Sequence, residues 1–99
     1  MPVKAIKRTD AFGKAMLEVY DNSADLESYV PDVISVIEND FAGQGGEVID
    51  AVAVTLINYR IRGIHLQIGY GPMGGLDVSC SDEPLLDEIL LTLKRKFSL

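Results

Sequence analysis

Cysteine occurs once in the 99 residues, at Cys80, so no disulfide can form within the chain. Histidine is also single, at His65, whereas a zinc site gathers several Cys or His ligands. No EF-hand spelling collects carboxylates for calcium. These absences predict a fold that needs no metal, cofactor or covalent cross-link, and a lone thiol suits a reducing compartment. No apolar run is long enough to span a bilayer, and the opening MPVKAIKRTD lacks the apolar stretch of a secretory signal. The expectation is a cytoplasmic protein with no membrane partner.

Basic residues are missing from a long stretch. Between Ala15 and Tyr59 there is no Lys or Arg, while Glu18, Asp21, Asp32, Glu38, Asp40, Glu47 and Asp50 all fall there. With a net charge of −6 the chain is a poor match for the phosphate backbone, so no nucleic-acid partner is expected. A surface of one sign steers partners of the other sign. A basic protein partner is therefore expected to approach Asp32, on the outward side of the first helix, and Glu38 and Asp40 on its flanks.

What is present is a foldable pattern. Hydrophobic residues make up 47% of the chain, which suffices for one domain over residues 1–99 with one core. Val3 to Arg8 and then Ala15 to Tyr20 read as two strands around a turn at Thr9 to Gly13, the second alternating Ala15, Leu17 and Val19 with Met16, Glu18 and Tyr20. A helix follows, with Val30, Val33, Ile34, Ile37 and Phe41 on one stripe. Ser28 is expected to cap it, because Pro31 then falls in the first turn, where no N–H is missed. Val36 falls on the far side of this helix, and Leu91 on the far side of the last one.

Gly43, Gly45 and Gly46 end the helix and open a loop. Val48 to Tyr70 reads as strand on both sides of a turn at Arg62-Gly63. That turn places Ile61 opposite Ile64, Tyr59 opposite Leu66 and Ile57 opposite Ile68, all on one face. Leu76, Val78 and Cys80 continue the apolar set. The last helix carries Leu85, Leu86, Ile89, Leu90, Leu93 and Phe97 on one stripe, with acids at its start and bases at its end, as the helix dipole favours. The start repeats the first helix's spelling, with Ser81 three before Pro84. The predicted fold is α+β, ββαβββα: a mostly antiparallel five-stranded sheet with both amphipathic helices packed on one face. Strands two and three fit a parallel, right-handed crossover if they are neighbours.

Gly69 to Gly74, GYGPMG, matches the dinucleotide pattern G-x-G-x-x-G. That fingerprint needs a helix after it, to hold the pyrophosphate at its N-terminus. Here LDVSCS follows with the alternation of a strand, so a hairpin connection is expected.

The second sheet face is polar around Asn58, Arg60, His65 and Gln67, with Asp77 and Ser79 projecting to the same side. His, Asp and Ser are the residue types of a nucleophilic triad, but no strained turn or oxyanion hole accompanies them. Val52, Val54 and Leu56 continue this face, and a covering loop or the second subunit of a homodimer is expected there. The order of elements resembles that of small acidic bacterial domains, among them immunity proteins that neutralise toxins, with no motif that carries a residue over. The leading expectation is a non-catalytic protein-interaction module, an immunity or antitoxin-like inhibitor. The alternative is a small enzyme or ligand-binding protein using His65, Asp77 and Ser79.

Overall fold

A computed structural model describes residues 3–9, 11–21, 26–50, 53–71 and 75–97. Six strands run in the order β1 (Val3–Thr9), β2 (Ala15–Asp21), β3 (Gln44–Asp50), β4 (Thr55–Ile61), β5 (Ile64–Tyr70) and β6 (Leu76–Cys80). Two α-helices, α1 (Leu26–Ser35) and α2 (Glu83–Lys96), interrupt and close the series. In space the sheet order is β1-β2-β6-β5-β4-β3. Every neighbouring pair is antiparallel.

The sheet therefore has six strands, not five. Residues 48–61 are not one strand: β3 ends at Asp50 and β4 begins at Thr55. The two pair back on one another, with Val48 opposite Ile57 and Ile49 opposite Leu56. The glycine cluster also departs from expectation. Gln44, Gly45 and Gly46 belong to β3, and the register shifts at a bulge between Gly45 and Glu47. Gly45 and Gly46 have φ of 109° and 78°, which a residue without Cβ adopts at little cost. Strand two lies beside β6 and antiparallel to it, so no parallel crossover forms there.

The β4–β5 hairpin has the expected register, including Ile61 opposite Ile64, Tyr59 opposite Leu66 and Ile57 opposite Ile68. Arg62 and Gly63 both take positive φ, 54° and 78°, the geometry of a two-residue turn whose twist matches the flanking strands. The hairpin reading of the glycine-rich stretch also holds. Tyr70 pairs with Leu76 across antiparallel strands, and β6 follows where a phosphate-binding loop would have a helix.

Both helices share one core with the inner face of the sheet. Leu17, Val19, Ile57, Ile61, Leu66, Ile68, Leu76 and Val78 meet Val33, Ile37, Leu86, Ile89 and Leu93 there. Helix α2 is capped by Asp82, whose side chain accepts from the Leu85 N–H at 3.3 Å, rather than by Ser81. Two ion-paired contacts fasten it to the sheet. Lys7 on β1 reaches Glu83 and Asp87, and Arg62 grips Glu88 at 2.9 and 3.3 Å.

Helix α1 begins at Leu26, so Ser28 is its third residue and not its cap, and Pro31 sits inside. A proline there removes one backbone donor from the ladder. After Ser35 the helix widens into a π turn, Val36–Asp40. It closes when Phe41 N donates to Val36 O at 3.3 Å and Gly43 N to Ile37 O at 2.9 Å. The wider turn changes which residues face inward, and Val36 is buried against the core instead of lying on the far side. Leu91 is exposed, as its helical position implies.

Candidate functional site

Strand alternation fixes what the outer sheet face carries. Asn58, Arg60, His65, Gln67, Asp77 and Ser79 project from β4, β5 and β6 on the side away from the helices, and no helix of the described residues lies over them. Asn58 is the hub of the polar strip. Its Oδ1 accepts from His65 Nε2 at 3.0 Å and from Gln67 Nε2 at 3.1 Å. An amide oxygen only accepts, so His65 presents its Nε2–H to it.

The His, Asp and Ser set does not converge. Ser79 is opposite Gln67, which leaves it a diagonal neighbour of His65, roughly 7–8 Å away between backbone positions. Asp77 is opposite Gly69, four residues along β5 from His65, or about 13 Å at the usual strand rise. Proton relay from Ser79 through His65 to Asp77 needs hydrogen-bond distances, and this register does not provide them.

Asp77 instead faces Glu18 directly across β2 and β6. Its carboxyl is pushed up, first by desolvation and then by the Glu18 charge, with Arg8 acting the other way. Arg8 is tied to Glu18 at 2.8 Å. Cys80 points inward. Burial pushes its thiol up, and Sγ donates to Asp82 O at 3.3 Å, so it is a poor nucleophile.

Two hollows lie on either side of the Arg60–His65 pair. One, of about 480 Å³, is bounded by Asp40, Ala42, Gln44, Arg60, Arg62 and Gly63. The other, of about 200 Å³, is bounded by Lys14, His65, Gln67, Ser79, Cys80 and Ser81. The first joins two features that are far apart in sequence: Asp40 from the acidic helix surface and Arg60 from the polar strip. Asp32 lies earlier, on α1, exposed and apart from this hollow.

Glu38 has a role that sequence reasoning missed. Its Oε2 accepts from the Tyr59 hydroxyl at 2.8 Å, which pins the π turn to the inner side of β4. Desolvation, and then the Glu38 carboxylate, push the Tyr59 hydroxyl pKa up. Periodicity puts Glu38 on the helix flank but cannot show the widened turn that brings it to Tyr59.

The apolar end of the outer face is only partly covered. Ile49 and Val54 are 43% and 40% exposed there, and Ile6, 39% exposed, lies apart from them on β1 at the opposite edge of the sheet. Leu56 lies across Gly69, close enough that a Cβ there would stand 3.2 Å from Leu56 Cδ2. Val52 falls outside the described residues. Among the described residues no helix is long and apolar enough to cross a membrane, and no three His, Cys, Asp or Glu side chains gather as metal ligands. Set against known families, characterised proteins and solved structures, the chain matches none.

Proposed function

We propose that this protein is a non-catalytic protein-interaction module of the cytoplasm, an inhibitor of the immunity or antitoxin kind, which docks through its outer sheet face. One observation carries the reading. Helices cover one side of a six-stranded sheet, while the other side leaves Ile49 and Val54 partly in water beside the polar strip of Asn58, Arg60, His65 and Gln67. Apolar patches rimmed by polar groups are what protein partners bury. The acids Asp32, Glu38 and Asp40 favour a basic partner by steering it. A homodimer through Val54 and Leu56 is the same reading with a second copy as partner.

The test is capture from the native cell by the tagged protein, with an Arg60→Ala, His65→Ala variant as control. The expected result is a stoichiometric partner held by the natural protein and lost by a variant with unchanged circular dichroism. Identical captures by both would overturn the reading. A second reading, ligand binding, rests on the hollow of about 480 Å³ beside Arg60, a size typical of small-molecule sites.

A further inference from the structure

The two edges of the sheet differ. On β1, Lys7 is engaged by Glu83 and Asp87 of α2, Arg8 is tied to Glu18, and Ala5 is buried. Inward-pointing charge and a covering helix are the usual defences of a free edge. On β3 neither is found among the described residues. From Glu47 to Asp50 every residue is exposed. Val48 points to the helix side and is still 57% exposed, while Ile49 points to the outer side. Alternate residues of such an edge aim their N–H and C=O groups away from the sheet, ready to pair with another strand.

The chemistry along this edge is specific. Reading along it gives acid, apolar, apolar, acid: Glu47, Val48, Ile49, Asp50. No base lies on the strand, and Glu38 stands beside it, with its Oε2 3.7 Å from where a Gly46 Cβ would be. The bulge between Gly45 and Glu47 limits regular pairing to the stretch after it.

We infer that β3 is a strand-addition site for an extended, basic segment of a partner protein, with two β-branched apolar residues between two lysines or arginines. The partner's main chain continues the ladder, its apolar pair covers Val48 and Ile49, and its bases meet Glu47 and Asp50. A second copy of β3 fits poorly, because it brings the same acids and no base. The β1 strand of a second copy has Lys4, Lys7 and Arg8, but Lys7 and Arg8 are already engaged within their own chain. This inference rests on the interaction-module reading and adds the partner's chemistry and mode of docking.

The probe is a capped hexapeptide with a lysine–valine–valine–lysine centre, compared with its glutamate counterpart. Amide exchange should slow at residues 47–50 with the lysine peptide, which should bind roughly tenfold tighter than the glutamate one, as two exposed ion pairs allow. Methylating the peptide nitrogens on one alternate set should abolish binding, and on the other set should not. In a Glu47→Lys, Asp50→Lys variant the preference should invert; if that variant does not fold, the natural protein with the methylated series decides. Equal binding of both peptides, or protection away from β3, overturns the inference. So does concentration-dependent light scattering that Glu47→Lys abolishes, since the occupant is then β1 of a second copy. None of these outcomes touches the Arg60 and His65 capture test, so the two readings fail separately.

Discussion

Gly43 closes the π turn, and replacing it by alanine tests how tightly that closure is built. A Cβ at Gly43 would stand 2.9 Å from Ile37 Cγ2 and 2.9 Å from Ile37 O. The oxygen is backbone and already accepts the Gly43 N–H at 2.9 Å, so the chain at Gly43 must withdraw and loosen that bond. Ile37 is fully buried, which leaves its side chain little room to yield. Overpacking costs about 1–3 kcal/mol, and the weakened hydrogen bond about 1 kcal/mol more. The sum, about 2–4 kcal/mol, compares with a total stability of about 5–15 kcal/mol for a domain of this size. The melting temperature should fall by roughly 8–30 °C. The control is Gly63→Asn, at φ +78° with nothing within 4 Å of the added carbon. Asparagine tolerates that conformation, and the change should stay within about 1 kcal/mol. Urea unfolding followed by circular dichroism measures both, with equal slopes as the sign that only stability has moved. If Gly43→Ala costs no more than Gly63→Asn, the closure of the π turn is not tightly packed around Gly43.

Two further outcomes follow from the sheet. Leu66→Ala and Ile68→Ala each empty a fully buried site on the inner face and should cost about 2–5 kcal/mol in urea unfolding. Gln67→Ala, which loses one half-exposed bond to Asn58, should cost about 1 kcal/mol or less; similar losses in all three would contradict the facing. Asp77→Asn should stabilise at neutral pH by about 0.5 kcal/mol or less, because it removes a like charge opposite Glu18 at an exposed site. The carboxyl's folded pKa is raised above 3.8, so the ionised form is disfavoured in the fold. Its penalty is full above the raised value and disappears as pH falls towards the unfolded one. The gap between the two proteins should therefore narrow on acidification, and a gap that widens instead would show the sign to be wrong.

The parts of the fold legible in the sequence are those with strict period and clear punctuation. Ile57 to Ile68 alternates around Arg62-Gly63, and a one-residue slip would expose the whole apolar set, so pairing follows from pattern alone. Helix α2 reads easily because its stripe, acids and bases agree. The break between β3 and β4 was hidden because Ala51 to Val54 offers no Gly, Pro or Asn, only small and branched apolar residues that continue a strand pattern. Gly45 and Gly46 read as a loop because glycine is rare in strands, and a bulged edge is the exception. Pro31 argued for a late helix start; the packing of Val30 and Val33 outweighs one lost bond. At the candidate site, sequence supplied the polar strip once the register was known. It could not supply the bond from Tyr59 to Glu38 or the hollow joining Asp40 to Arg60, which depend on how the π turn lies against β4.

The order β1-β2-β6-β5-β4-β3 also sets a sequence of events in time. Four of the five strand pairings are hairpins between chain neighbours, able to close within microseconds of becoming available. The fifth, β2 with β6, joins Leu17 to Val78 and has to wait for nearly the whole chain. Closing so long a loop delays folding. Until that seam forms, an N-terminal hairpin and a four-stranded meander each present a bare edge to every other newly made copy. The Leu17–Val78 seam is thus where crowding during synthesis would first produce misassembly, by one molecule's meander accepting another's hairpin.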